Sequence, residues 1–352
     1  MDCGRPVTAG EILTLTAYFA ERERTDGRFL AEAMLDLFGD HRVASSVMLR
    51  GIASFGPANV VRSDRSLSLS EDPPVTITAV DTADRILGLT DAVTAMTGRG
   101  VITLERGRQA PVETAAFTDE GSVRLTLHVG RRHRVGGRPG FLAVSEVLHR
   151  LGFVAAEVFL GVDGTVAGQR RRARFFNRNA DVPLLISGVG TPAQAANAAA
   201  ELAAILPGAL VTTERIQVCK NAGQLLAEPR NAPVGQYLKL TVRTAEDSRH
   251  DGRPIHRELI RRLKAGDHAN GATALRGIWG FRDNQRPHGD RLFQLARRVP
   301  VNTVMVDTPP SIMASFAIVD ELTSGQGLVT CEVVPAMMAL QHTQRRGTLR
   351  LG

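Results

Sequence analysis

The sequence repeats a glycine–arginine pair at three places, and each arginine stands where a helix is predicted to begin. The three arginines are Arg28, Arg138 and Arg253. A cation there opposes the positive end of the helix dipole, so a negative group is expected nearby. One interpretation is a phosphate or carboxylate ligand bound at the helix N-terminus. The other is a salt bridge to a neighbouring unit, or simple solvation.

A second set of residues stands at the exit of a strand, in the phrases LRGIASF at 49–55 and LRGIWGF at 275–281. Glycine lets the backbone turn or approach a ligand, and arginine can grip a phosphate with two hydrogen bonds. The middle counterpart, FLGVDGT, has Leu160 in place of the arginine. The alternative is a bulge glycine beside an exposed arginine. The candidate binding residues are Arg50, Gly51, Gly161, Arg276 and Gly277.

Residue patterns typical of catalysis or metal binding are not found in the sequence. It has no nucleophile elbow, no phosphate-binding lysine loop and no HExxH pair. The three cysteines, Cys3, Cys219 and Cys331, form no CxxC pair, which fits a reducing cytosol. Gly188 and Glu214 imitate a dinucleotide fingerprint, but the corresponding places elsewhere lack the glycines. We therefore predict a protein that is not an enzyme and has no metal site.

These candidates belong to a unit that is repeated three times. Four anchors recur: the glycine–arginine pair, the glycine of the repeated phrase, a threonine and a glutamate. Successive anchors are 24, 24 and 25 residues apart, then 31, 30 and 31, then 23, 23 and 24. This register predicts domains at 11–107, 121–218 and 234–334. The residues after Pro335 form a short tail that ends basic.

The elements of the first unit follow from hydrophobic period and from capping signals. Residues 12–19, 43–49 and 75–81 are predicted as strands. An amphipathic helix follows Gly27. Thr82 is predicted to cap a second helix with its side chain, and a proline follows the equivalent threonine in the other units. With the strand VITLE, the order is βαββαβ, so the fold class is α+β with three ferredoxin-like units.

Composition leaves several partners open. The chain has 352 residues and a net charge of +7, which permits anionic ligands, nucleic acid or a lipid surface. The loop after the second strand of the middle unit contains RRRAR at 170–174. Aromatic residues make up only 5% of the chain, which disfavours stacking on nucleic-acid bases. We see neither a signal peptide nor an apolar run long enough to span a membrane, and we expect a cytoplasmic protein.

The run LTLTAYFAERERTDGRFLAEAML…LRGIASFG…VDT…GVITLE resembles the PII-like family known as domain of unknown function 190. The resemblance is clear in the third unit and weaker in the second. It implies a PII-like trimeric arrangement in which sheets face a threefold axis and small effectors, often adenine nucleotides, bind in clefts between subunits. It also implies that long loops contact a partner, frequently a membrane transporter. In a triplicated chain this becomes a closed intramolecular pseudo-trimer with three non-identical clefts.

The sequence is therefore compatible with three alternative functions. The first is a regulatory protein that binds a small anionic effector, such as an adenine nucleotide, between its units. The second is a protein-interaction scaffold whose clefts have decayed, and the loss of arginine at Leu160 favours it. The third is a nucleic-acid binder, for which affinity should fall steeply with salt.

Overall fold

A computed structural model gives the fold of residues 11–56, 62–63, 72–110, 121–172, 182–282, 285–289 and 298–351. The first unit has the predicted order of strands and helices. Its second helix begins after Thr82 as predicted, but the Thr82 side chain makes no capping hydrogen bond. The equivalent Thr191 does make one, as part of a capping box. The elements are β1 Glu11–Ala20, α1 Leu30–Asp40, β2 Ser45–Phe55, β3 Pro74–Thr82, α2 Ala83–Met96 and β4 Arg99–Gln109.

The second and third units repeat this order, with an extra short strand after the second strand of each. The second unit has β5 Ser122–Gly130, α3 Gly140–Arg150, β6 Ala155–Leu160, β7 Asp163–Val166, β8 Pro183–Gly190, α4 Pro192–Ile205 and β9 Leu210–Asn221. The third has β10 Tyr237–Ala245, α5 Ile255–Ala265, β11 Ala272–Arg276, β12 Trp279–Arg282, β13 Pro300–Asp307, α6 Pro309–Leu322 and β14 Leu328–Val334.

Shorter elements complete the chain. The residues after Pro335 form a hairpin, which the sequence did not reveal, of β15 Ala336–Gln341 and β16 Gln344–Thr348. Two-residue strands precede each first helix, at Arg24–Thr25 and Arg28–Phe29, Arg134–Val135 and Arg138–Pro139, and Arg249–His250 and Arg253–Pro254. Others are Arg62–Ser63, Gln169–Arg170, Gln224–Leu225 and His288–Gly289.

Within each unit the four main strands form an antiparallel sheet in the order second, third, first, fourth. Side chains alternate between the two faces of a strand. In β1, Leu13, Leu15 and Ala17 face the helices and are fully buried. Thr14 and Thr16 point to the opposite face, where they are buried as well. Each sheet therefore has an apolar face under its helices and a polar face directed into the molecule.

Second strands pass from one unit to another. The first half of β2 pairs with β3 of its own unit, and its second half pairs with β11 of unit 3. Strand β12 of unit 3 pairs with β6 of unit 2, and β7 of unit 2 pairs with β2 of unit 1. The exchange thus runs from unit 1 to unit 3 to unit 2 and back to unit 1.

Fourth strands make a second exchange in the opposite direction. The end of β4 pairs with β9 of unit 2, and the end of β9 pairs with β14 of unit 3. Strand β15 then pairs with β4 of unit 1 along residues 99–104. Both cycles return to the unit where they began, so each unit is joined by strands to the other two.

Apolar side chains follow these exchanges into neighbouring cores. Phe55 of unit 1 packs in the core of unit 3, and Phe281 of unit 3 packs in the core of unit 2. Leu340 and Leu349 of the C-terminal hairpin pack in the core of unit 1. Burial of one such side chain contributes roughly 1.5–3 kcal/mol, so the units depend on one another for stability. No helix in the described ranges is long and apolar enough to cross a bilayer.

Candidate functional site

The three arginines at the helix starts each pair with a carboxylate of their own unit. All three side chains are more than half exposed. Such exposed pairs stabilise a fold only weakly. The negative group expected near each arginine is therefore supplied by the following helix. The pairs are Arg28 with Asp36, Arg138 with Glu146 at 2.6 Å and Arg253 with Glu258 at 3.6 Å.

The arginines of the repeated phrase also have a partner within their own unit. Nε of Arg50 lies 2.7 Å from a carboxylate oxygen of Glu21, and Nη2 of Arg276 lies 2.8 Å from Glu246. In unit 2 the same two places hold Leu160 and Arg131. Unit 2 therefore lacks both the arginine and the carboxylate of this pair, so no unpaired carboxylate is left at the position of Glu21.

The three glycines of the phrase lie where the second strand crosses to the next unit. A Cβ on Gly51 would come within 2.8 Å of Pro74, and one on Gly277 within 2.7 Å of Pro300. A Cβ on Gly161 would come within 2.8 Å of the Pro183 carbonyl oxygen. Glycine is therefore required by close packing of chain against chain. Their role in ligand binding stays a prediction, because none of the eight predicted residues lines either cavity described below.

Three equivalent glutamates, one from the interior of each fourth strand, meet where the polar faces of the sheets converge. Arg124 bridges all of them, at 3.2 Å from Glu105, 3.4 Å from Glu214 and 2.9 Å from Glu332. Lys239 pairs with Glu105 and lies 3.0 Å from Glu332. These five side chains, the central cluster, join the three units through buried charge.

The central cluster has three carboxylates for two cations. Burial, together with the Glu332 and Glu105 carboxylates, raises the pKa of Glu214. Burial also opposes ionisation of Glu105, but Lys239 and Arg124 outweigh it and hold the pKa of Glu105 below its ordinary value. Glu214 is therefore the member best suited to carry a proton. Since the cations and carboxylates bind one another, the cluster fits a structural role better than a catalytic one.

A cavity of about 370 Å³ lies between units 1 and 3, with the C-terminal hairpin as one wall. Its apolar surface includes Phe55, Val304 and Met337. Its polar surface includes Tyr18, Arg99, Tyr237 and Arg346. We call this space the unit 1 cleft. Its size and mixed lining are typical of a site for a small organic ligand.

Two polar side chains of the unit 1 cleft are suited to bind a ligand. Burial, followed by the charge of Glu105, raises the pKa of Tyr18 far above its ordinary value, so its hydroxyl stays protonated. Nη2 of Arg99 lies 3.1 Å from Nε2 of His342. The Nε of Arg99 is buried and makes no hydrogen bond within the described part of the chain. A buried donor without a partner costs free energy, which an anionic ligand would recover.

The equivalent place in unit 3 holds a smaller cavity, the unit 3 cleft, of about 240 Å³. Thr14 pairs with Glu105 in unit 1, and Lys239 pairs with Glu332 at the equivalent position of unit 3. Four residues further along these strands, Arg243 is therefore the equivalent of Tyr18. Arg243 is buried and its Nε lies 3.2 Å from Oε1 of Glu157 in unit 2. A buried ion pair between units 2 and 3 therefore replaces the tyrosine at this position.

In unit 2 the same position is occupied by His128. Its Nδ1 lies 3.0 Å from the hydroxyl oxygen of Ser45 in unit 1. Burial, followed by the charge of Arg124, lowers the pKa of His128 to about 4. The three equivalent positions thus hold a phenol, a neutral imidazole and a paired guanidinium.

The basic run of the middle loop is partly neutralised by unit 1. Nη2 of Arg170 lies 2.7 Å from Asp163, and Arg170 also pairs with Asp36 of α1. Nη1 of Arg172 lies 3.0 Å from Glu32 of the same helix. The start of this loop therefore binds the acidic face of α1. Arg174 and parts of each of the three long loops lie outside the described residues.

Sequence reasoning predicted clefts between units but missed the residues that line the unit 1 cleft, because it searched for residues that recur in every unit. Tyr18 and Arg99 do not recur. The usable signal was the divergence at one equivalent position, where the units hold Tyr18, His128 and Arg243. Within the ranges that the structure describes, no group of three or more His, Cys, Asp or Glu is placed to hold a metal ion.

One protein-family model, DUF190, described as "Uncharacterized ACR, COG1993", matches the chain three times. The matched segments are residues 12–109, 122–218 and 237–336. Each segment contains one complete set of four main strands and two helices.

Proposed function

The chain belongs to the DUF190 family, and on this premise we propose that it is a PII-like regulatory protein that binds a small anionic effector between its units. Its three units are ferredoxin-like, and they close into an intramolecular pseudo-trimer. The antiparallel strand order of each sheet and the two cyclic strand exchanges support this arrangement.

The unit 1 cleft is the observation that carries the proposal. It offers an apolar wall for a flat ring, two tyrosine hydroxyls as donors, and two guanidinium groups for an anion. Arginine is well suited to phosphate and carboxylate because its planar head donates two parallel hydrogen bonds. An adenine nucleotide has both a flat ring and phosphates, so it is the first class of effector to test.

Partner binding and cellular location complete the proposal. The long loops after the second strands would contact a protein partner, which the family resemblance suggests is a membrane transporter. The location that fits this role is the cytoplasm. The role is one of binding and release, with no chemical step assigned to the chain.

The test is a thermal-shift screen of the full chain against ATP, ADP, AMP, cyclic nucleotides and simple anions at two salt concentrations. A ligand at 100 times its Kd should stabilise the protein by about 2.7 kcal/mol. We expect a shift that survives moderate salt and disappears in an Arg99→Gln plus Arg346→Gln variant. An Arg85→Gln plus Arg261→Gln variant, which changes two exposed arginines that do not line the cleft, is the matched control and should keep the shift.

A protein-interaction scaffold is the second candidate, and the divergence of the equivalent positions favours it. Where unit 1 has Tyr18, unit 3 has Arg243, which is paired with Glu157 of unit 2. If no ligand shifts the unfolding temperature at either salt concentration, the effector proposal is wrong. The scaffold would then predict a protein partner that binds the unliganded chain. Binding to nucleic acid that falls steeply with salt would favour the third function.

A further inference from the structure

We propose that the unit 3 cleft is a separate binding site for a phosphate-type oxyanion. Four basic side chains line it: Arg249, Arg282, Arg298 and His288. Among the described residues, one carboxylate, Asp247, lines it with them. Three guanidinium groups beside one carboxylate leave the cavity positively charged, which favours binding of an anion. This inference does not rest on the unit 1 cleft or on the effector proposed for it.

Three separate segments of unit 3 bring these cations together. Arg249 lies in the short hairpin after β10, and Arg282 is the last residue of β12. Arg298 precedes β13. Because β12 belongs to the strand exchange with unit 2, Arg282 is held in place by a pairing between units. The cluster is therefore a product of the closed fold rather than of one basic run in the sequence.

The hydrogen bonds within the cleft leave donors for a ligand. Nη1 of Arg249 donates to the Gly252 carbonyl oxygen at 2.9 Å, and Nη1 of Arg282 donates to the Arg243 carbonyl oxygen at 3.3 Å. Nε of Arg298 lies 3.3 Å from Asp247. Each guanidinium carries five N–H donors, so Arg249 and Arg298 keep donors beyond these bonds. The nearby carboxylate of Glu157 is already paired with Arg243.

The shape of the cleft selects a small anion over a nucleotide. Its volume is about 240 Å³, against about 370 Å³ for the unit 1 cleft. Arg282 occupies the position where unit 1 has Gly56, and Gln326 occupies the position of Arg99. The side chain of Arg282 takes up space that is open beside Gly56. A phosphate group fits this polar space, whereas a purine would have to displace the guanidinium.

The test is isothermal titration calorimetry of the full chain with inorganic phosphate and, separately, with glycerol phosphate, at constant ionic strength set by chloride. We expect saturable binding of at least one of them. An Arg249→Gln plus Arg298→Gln variant should weaken it by about tenfold or more, which corresponds to about 1.4 kcal/mol. Arg261→Gln removes an exposed arginine of the same unit that does not line the cleft, so it should change the Kd by less than about twofold.

Each outcome has a defined meaning. Binding of phosphate but not of the ester assigns the site to the free ion, and binding of the ester assigns it to a phosphorylated molecule. Equal affinity in wild type and in the Arg249 and Arg298 double variant would overturn the proposal, as would heats that chloride alone reproduces. Thermal unfolding of each variant shows whether it is folded. The Arg99→Gln plus Arg346→Gln variant should bind phosphate normally, so failure of one site is distinguishable from failure of the other.

Discussion

The unit 1 cleft and the unit 3 cleft are built on equivalent strands of two units and differ in the side chains that line them. The first is larger and lined on one side by apolar groups, whereas the second is smaller and basic. Each is lined by a phenylalanine near the end of a crossing strand, Phe55 in β2 and Phe281 in β12. Four equivalent positions differ between the two clefts. At the unit 1 cleft they hold Tyr18, Gly56, Arg99 and Thr273, and at the unit 3 cleft they hold Arg243, Arg282, Gln326 and Glu157, respectively.

The difference shows what joining three units in one chain permits. In an assembly of identical chains, every change in a cleft would appear in all three. Here each cleft can change alone, and the partner residue changes with it. Arg243 is accompanied by Glu157, whereas Tyr18 is accompanied by Thr273. A buried charge is tolerated only where its partner is present.

The largest effect should come from deleting residues 336–352, which form the wall that only the unit 1 cleft possesses. The deletion removes Leu340 and Leu349 from the core of unit 1 and exposes the edge of β4. We expect a loss of about 4 kcal/mol or more in the free energy of unfolding, together with self-association through the open edge. Urea unfolding and light scattering would measure both. Arg345→Ser, on the exposed strand of the same hairpin, is the control and should change neither.

A second test removes the ion pair that distinguishes the unit 3 cleft. Arg243→Ala leaves Glu157 buried without its partner, so we expect a loss of about 3–5 kcal/mol in urea unfolding. Arg243→Tyr combined with Glu157→Thr installs the residues of the unit 1 cleft, and it should recover most of that stability. An equal free energy of unfolding for the Ala variant and the wild type would show that the ion pair does not stabilise the fold.

A third test concerns the equivalent position in unit 2, His128, and measures how the free energy of unfolding depends on pH. Because the pKa of His128 is lowered to about 4 in the folded protein, the unfolded state binds a proton more readily. The stabilising contribution of neutral His128 is present above its unfolded pKa of about 6.5 and is lost as pH falls toward 4. From pH 7 to pH 5 this loss should be about 2 kcal/mol. His128→Gln should remove that part of the pH dependence, and an unchanged profile in the variant would contradict the assignment.

The smallest effect should come from the arginines of the repeated phrase. Arg50→Gln and Arg276→Gln each break an exposed or partly exposed pair with Glu21 or Glu246. We expect a loss of less than about 1 kcal/mol for each in urea unfolding. Glu21→Gln should have the same small effect, and combining it with Arg50→Gln should add little, since either change alone removes the pair. A loss of several kcal/mol in any of these variants would show that the pairs hold the units together.

The sequence predicted the elements of each unit because their signals are local. Alternation over residues 12–19 and 75–81 marked strands that the structure places at Glu11–Ala20 and Pro74–Thr82. The proline after Thr191 marked the start of α4. The repeat register then transferred these assignments from the first unit to the other two.

What the sequence did not reveal depends on pairing between distant segments. Residues 52–55 look like the start of a loop until unit 3 supplies their partner strand. The tail after Pro335 becomes a hairpin only because β4 offers it an edge. The unit 1 cleft arises from both of these pairings, so its residues had no local signal. The three glycines of the repeated phrase recur because close packing requires them where the second strands cross between units. The ligand-binding role of all eight predicted residues stays a prediction.

We propose that the unit 1 cleft alone binds the nucleotide effector, and the stoichiometry of binding tests this most directly. Isothermal titration calorimetry of the full chain with ATP, ADP and AMP would measure it. We predict one nucleotide per chain for at least one of the three. Three nucleotides per chain would mean that the clefts are equivalent, and no binding of any of them would remove the nucleotide from the proposal.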